Sequence, residues 1–229
     1  QTWSFGAVHS GERSLRHVLL RSGDVPVALA QVRIIAVPRI SRGMAYVSWG
    51  PLWRPRGSPA NVGHLRNVLR ALRNEYVLGR KLYLRISPKI VESADTRHLR
   101  AVYEGEGYRW RNDPQETVLL DLSPSLEEIG HGMGRSWRNA HKKALRQDVQ
   151  FIEGNEDEIA EEVLQVAEEM KTRKSFYGGN QQELVRASRD LPPEIRLHMI
   201  VCRHGGEPVA ALGWPTLGGI GIPLIGGTG

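Results

Sequence analysis

The stretch RSGDVPVALA, from Arg21 to Ala30, recurs as RHGGEPVAAL, from Arg203 to Leu212, at a constant offset of 182 positions without a gap. Arg21/Arg203, Gly23/Gly205, Pro26/Pro208, Val27/Val209 and Ala28/Ala210 coincide. Each copy reads as a β-hairpin: an apolar run, a turn at Gly23-Asp24 or Gly205-Gly206, then a Pro-Val-Ala run. The alternative is two unrelated hairpins that share turn grammar. The flanks speak against it, because an apolar strand follows each hairpin and ends in Trp-Gly (Ala45 to Gly50) or Gly-Gly (Ile222 to Gly227). A duplicated fold is therefore expected.

The chain has 229 residues, of which 40% are apolar, enough for one large core or two ordinary ones. Its single cysteine, Cys202, lies in the apolar run LHMIVC and reads as a core residue, so a disulfide framework is excluded. No apolar run approaches the roughly 20 residues of a spanning helix. No signal peptide is visible, and Gln1 is not a start residue. The expected location is the cytoplasm, with the inner membrane face as the alternative. The net charge of +6 is uneven: residues 1–120 carry 19 Lys/Arg against 9 Asp/Glu, and residues 121–229 carry 12 against 16. The first half should attract phosphates, nucleic acid or anionic head groups, unless its arginines are merely solvated.

In the first half Ser58-Pro59 offers an N-cap and a first-turn proline. Val62, Leu65, Leu69, Leu72 and Tyr76 then form one apolar helical stripe, with Arg66, Arg70 and Arg73 off it, and Gly79 as a stop. Lys81 to Ile86 reads as a strand, Ser93 as the cap of a second helix ending at Gly105/Gly107, and Thr117 to Leu122 as a short buried strand. The second half starts with helices. Ser125 and Glu128 form a capping box, and a basic helix spans about Gly134 to Gln147, with Trp137, Ala140 and Ala144 on its packing side. Val149 to Glu153 reads as a strand. Asn155 is expected to cap a helix with the stripe Ile159, Val163, Val166 and Met170, and a further helix at about 181–189 precedes the second hairpin.

This order of elements, doubled, resembles the GNAT acyltransferase fold in tandem and in particular the FemABX family of peptidoglycan-bridge aminoacyltransferases. The likeness is carried by Gln1-Thr-Trp3, the segment from Tyr46 to Pro51 (YVSWGP), Leu84 to Pro88 (LRISP), Gly107-Tyr108, Thr117 to Leu122, Arg135 to Ala144 (RSWRNAHKKA) and Arg173 to Tyr177. The expectation is an α/β protein with mixed sheets: a first GNAT-like domain over 1–120 and a second over 121–229. The first copy runs about 90 residues past its hairpin and the second has only 17 after Leu212, so the second domain is expected to be incomplete. A helix, strand, helix and closing strands would follow Gly229, unless this is a short domain with an uncovered hairpin edge.

The resemblance implies transfer of an amino acid from aminoacyl-tRNA to the stem-peptide amine of a nucleotide-linked or lipid-linked muropeptide, with peripheral membrane contact in the latter case. It implies no cofactor and no metal; acyl-CoA is the donor in an alternative reading, and a non-catalytic binding module is another. Within the resemblance, Arg173 and Tyr177, with Lys174 beside them, would grip the precursor's diphosphate. The plain alternative is that these cations complement the end of an acidic helix capped by Gly178. His9 stands about where the family carries a phosphate-binding lysine, and a surface histidine is the competing reading. Ser87 stands where an acidic residue is common, and a serine cannot act as a carboxylate base, so no residue is assigned as catalytic. Pro223 and Leu224 replace tyrosines found near the family's last turn.

From the residues themselves, Arg135, Arg138 and Lys142 fall on one face of the basic helix, where they would meet tRNA or precursor phosphates or else simply be solvated. Trp49 ends the central strand and would stack on a sugar or base, or else pack as a cleft wall. The basic loop from Leu52 to Ser58 lacks the Arg/Gln-x-x-Gly-x-Gly/Ala pattern that cradles coenzyme A. The active site is expected between the two copies.

Overall fold

A computed structural model describes residues 3–36, 43–90, 96–111, 118–175 and 180–228. The chain divides into two compact units, Gln1–Asp113 and Pro114–Gly229. In the first, helix α1 (Trp3–Ser10) leads through a short turn into β1 (Leu15–Ser22), β2 (Val25–Ala36) and β3 (Gly43–Ser48). Helix α2 (Val62–Leu72) continues as a π-helical stretch, Arg73–Gly79, and is followed by β4 (Tyr83–Ser87) and α3 (Thr96–Gly105). The sheet order is β1-β2-β3-β4, with antiparallel pairing up to β3 and a parallel β3/β4 pair. A parallel pair needs a crossover, and α2 supplies it.

The stripe foreseen on α2 is the core. Leu65, Leu69, Leu72 and Tyr76 are buried, joined by Val68, and they pack with Ala28, Ala30 and Val32 of β2 and Val102 and Tyr103 of α3. The cap is not Ser58. Asn61 accepts the Gly63 amide at 2.9 Å through its side chain, and the helix starts at Val62. Asparagine caps as well as serine, and Asn61 stands immediately before the apolar stripe. Strand β4 starts two residues later than Lys81, which adopts a left-handed φ of 57° in the turn before it. Ser93 lies outside the described residues.

The second unit opens with α4 (Leu126–Gly132), started by the expected capping box, and α5 (Arg135–Ala144). Then come β5 (Val149–Gly154), α6 (Asp157–Lys174), α7 (Gln181–Arg189), β6 (Leu197–His204), β7 (Glu207–Leu217), the two-residue β8 (Ile220–Gly221) and β9 (Ile225–Thr228). The order is β5-β6-β7-β8, β9 also pairs with β7, and every pairing is antiparallel. Helix α6 buries Ile159, Val163 and Val166 on Met199, Val201, Ala211 and Ile225. Its N-cap is Glu156 rather than Asn155, and that residue makes no side-chain capping bond.

The two hairpins match in detail. The register shifts by one residue between Leu20 and Arg21 in one and between Cys202 and Arg203 in the other, with Leu20 facing Ala28 and Cys202 facing Ala210. Gly23 and Gly205 take φ of 58° and 59°, a left-handed geometry that favours glycine. Yet the helices cover opposite faces. Ala30 is 0% exposed under α2 and α3, whereas its counterpart Leu212 is 39% exposed; Leu19 is 44% exposed, whereas its counterpart Val201 is 1%. Cys202 accordingly lies half-buried on the sheet face away from α6, not in the core.

Two further sequence expectations fail. Residues 118–122 form no strand: Val118 is 93% and Leu122 71% exposed. An apolar run becomes a buried strand only where an edge accepts it, and no described strand pairs with this one; Asp121 instead accepts the Ser123 amide in a turn. Trp137, Ala140 and Ala144 do not pack inward either, since α5 has no buried residue. Trp137 stacks on His141 of its own helix, centroids 5.0 Å apart, the one-turn neighbour that helix geometry provides.

One buried carboxylate ties α2 to the end of α3. Glu106 receives two bonds from Arg70 (3.1 and 3.0 Å), lies 3.7 Å from Arg66, and its carbonyl accepts Arg73 at 3.1 Å. Tyr108 donates to the Leu69 carbonyl at 2.7 Å, and burial pushes the Tyr103 and Tyr108 hydroxyls well above the usual tyrosine range. The arginines are half in water, so Glu106→Ala should cost about 2 kcal/mol, below the 3–5 of a fully buried pair. A Glu75→Ala control at an exposed pair should change the unfolding free energy from urea titration by less than about 0.5 kcal/mol. At the other unit's start, the Ser125 hydroxyl and amide bond Glu128 and hold its carboxyl below the usual range. A lowered folded pKa means that the contribution is present above the unfolded value of about 4.3 and is lost as pH falls through the lower folded one. Backbone NMR shifts of residues 126–132 should lose helical character across that acid window, and a Glu128→Gln variant should show no such step.

Candidate functional site

Open sheets take ligands at the carboxyl ends of parallel strands, where the chain ends diverge. In the first unit that place is the end of β3 and β4. Ser48 stands beside Ser87 at the last pair of the register, and the Trp49 amide donates to the Ser87 carbonyl at 2.7 Å. Trp49 then turns into the left-handed region, φ 54°, the Gly50–Pro51 bond is cis, and Leu52 lies opposite Leu29. A tryptophan held at positive φ is strained, and such strain persists where surrounding contacts enforce it. The indole is 44% exposed, with the Lys89 ammonium 5.4 Å from its ring centroid. The arrangement offers a flat apolar surface and a cation at the strand ends. Lys89 went unnoticed in the sequence, although a lysine just past the strand end in Ser87-Pro88-Lys89 is a legible signal. Ser87 is half-buried and offers a hydroxyl where base chemistry would need a carboxylate.

In the second unit the last turn of α6 meets the end of β9. A Cβ on Gly226 would lie 2.6 Å from the Ala211 carbonyl oxygen, and one on Gly227 would lie 3.0 Å from the Val166 carbonyl oxygen and from Met170. Gly227 therefore lets α6 lie close on β9, and Gly226 lets β9 lie close against β7. That approach carries Arg173 to the strand's end, where its Nη2 donates to the Thr228 carbonyl at 2.7 Å. Lys174 is exposed beside it. Ser175, left-handed at φ 51°, ends the helix; Tyr177 and Gly178 lie outside the described residues. His9 falls in α1, and its side chain lies outside the described residues.

The basic helix divides in its roles. Arg138 donates to the His131 and Met133 carbonyls at 2.8 and 2.6 Å, so it closes the end of α4 rather than facing an open ligand. Arg135 and Lys142 are exposed and have no acidic partner among the described residues. No helix among the described residues is long and apolar enough to cross a membrane.

Two tandem units with mixed and antiparallel sheets under helices define a GNAT-like α/β fold. The chain is similar to the crystal structure of FemX, with a TM-score of 0.66 at 13% identity over 89% of its length. It spans 52% of that chain, about half. The C-terminal domain (DUF2156) of a putative lysylphosphatidylglycerol synthetase from Agrobacterium fabrum aligns with 89% of the chain and 56% of its own, at 11% identity and a TM-score of 0.48. No family model and no curated protein matches the sequence. The fold expected from the FemABX resemblance is thus the fold observed.

If Arg173 grips a phosphate, Arg173→Ala should weaken binding of a nucleotide-linked muropeptide at least about tenfold in calorimetry, and Arg173→Lys should recover only part of it because the planar fork is lost. As Arg173 is exposed, Tm should fall by less than about 4 °C.

Proposed function

We propose that this protein transfers an amino acid from aminoacyl-tRNA to the stem-peptide amine of a peptidoglycan precursor. The observation that carries the reading is the FemX-like fold across nearly the whole chain. In the step, the amine nitrogen attacks the ester carbonyl carbon and the C–N bond forms. The C–O bond to the tRNA ribose breaks, and the proton leaving the amine passes to the departing ribose oxygen. Such a step depends mainly on placing the amine about 3 Å from the carbonyl and on stabilising the oxyanion, so it tolerates a serine at position 87. No cofactor is needed.

In this reading Arg173, with Lys174 and Tyr177, holds the precursor's phosphates, and His9 is a phosphate contact where the FemABX resemblance places a lysine. Trp49 stacks on a sugar or base, and Lys89 supports the same ligand. Arg135 and Lys142 meet tRNA phosphates, and their contribution should fall as salt rises. The acceptor is nucleotide-linked or lipid-linked, and the work is done in the cytoplasm or at the inner membrane face.

The test is mass spectrometry of a nucleotide-linked muropeptide incubated with the chain and a set of charged tRNAs. The expected product is the acceptor plus one aminoacyl residue, with free tRNA released in equal amount. An acceptor that gains an acyl group from acyl-CoA, and nothing from any charged tRNA, would replace this reading with the acyl-CoA alternative. Arg135→Glu with Lys142→Glu should raise the KM for charged tRNA at least about fivefold at low salt and leave muropeptide binding unchanged.

A further inference from the structure

The opposite end of α6 holds two adjoining hollows that the transfer reaction does not use. One, of about 290 Å³, is lined by Asn155, Glu194, Arg196, His198, Trp214 and Thr216. Its neighbour, of about 250 Å³, has an apolar floor of Ala160, Val185, Leu197 and Met199, and Asn155, Arg196 and Leu197 belong to both. Helix α6 starts at Asp157, which places these hollows roughly 24 Å from Arg173 along its axis.

The charges around the hollows are paired with two exceptions. Arg189 pairs with Asp157 at 2.8 Å, and His198 lies 3.7 Å from Glu153 and edge-on to Trp214, centroids 5.0 Å apart. Arg196 is half-buried, and its Nε is fixed on the Leu191 carbonyl at 2.8 Å, which leaves its two terminal nitrogens without a partner among the described residues. Glu194, in the same hollow, has no described partner either. The shared wall thus presents a guanidinium fork suited to a carboxylate. One unpaired anion, suited to an ammonium, and the Trp214 indole lie beside it. The apolar floor is reached across the wall.

We propose that the two hollows are one site for a free α-amino acid with an aliphatic side chain. The carboxylate lies on Arg196, the ammonium lies between Glu194 and Trp214, and the side chain enters the apolar hollow. Their size, at the lower edge of ordinary ligand pockets, suits an amino acid rather than a nucleotide. Glu194, the anion without a described partner, repels a phosphate ester.

The test titrates the whole chain with L-leucine, 4-methylpentanoate and isopentylamine and follows the Trp214 indole resonance, assigned by its loss in Trp214→Phe. Saturable L-leucine binding that shifts this resonance is expected, with each single-charge analogue at least about tenfold weaker. Glu194→Gln, on the surface, should weaken L-leucine at least about tenfold and leave 4-methylpentanoate unchanged; Arg196→Lys should weaken both. Binding of L-leucine weaker than about 10 mM, binding that leaves Trp214 unmoved, or indifference to Glu194→Gln would each overturn the site. None of these results depends on whether the chain transfers amino acids.

Discussion

A strand has two faces, and the side a helix covers decides which residues become core. The repeated hairpins share sequence, register shift and turn geometry, so local preference is the same in both. Helices α2 and α3 lie on the Ala28-Ala30-Val32 face of one, while α6 lies on the Met199-Val201-Ala211 face of the other. The large residues follow the covering. Alanines and valine sit where α2 brings three leucines and a tyrosine, and interiors of ordinary density require that exchange of small for large. In the second unit, Leu212 and Trp214 occupy the counterparts of Ala30 and Val32 because no described helix presses on that face.

The same constraint positions the sites. A helix that follows a strand and returns over the sheet delivers its last turn to the opposite end, so α6 carries Arg173 to the end of β9 while its first turn stands by Asn155 and the start of β6. How near it comes depends on Gly227, where a Cβ would press on the Val166 carbonyl and Met170. In the first unit the crossover α2 makes β3 and β4 parallel, and their shared carboxyl end places Trp49 and Lys89 together. Backbone pairing, through the Trp49 amide and the Ser87 carbonyl, therefore sets the geometry of a side-chain surface.

Much of this was legible in the residues. The stripe from Leu65 to Tyr76 was read from its period, the capping box at Ser125 and Glu128 from its spacing, and the hairpins from their repetition. What was not legible were facts set by distant partners. The run at 118–122 has strand composition but finds no described edge. Arg138 has the spacing of a ligand contact but bonds carbonyls of the preceding helix. Cys202 sits in an apolar run whose alternate residues face away from the covering helix. Lys89 escaped because its meaning depends on the fold of Trp49 over the strand end.

Charge counts over half a chain mislead for a related reason. The first half has the excess of arginine, yet Arg66, Arg70 and Arg73 converge on Glu106, and Arg80 and Arg100 pair with Glu75 and Glu104. A cation already facing a carboxylate contributes little field to an approaching phosphate. The second half is acidic in sum, but its acids are concentrated on α6, whereas Arg135, Lys142, Lys143 and Arg146 lie exposed within and just after α5. Beyond a Debye length of about 8 Å the sum is screened, so a polynucleotide meets the local cluster rather than the total. The half with net negative charge therefore still carries a local basic surface, on α5 and the turn after it.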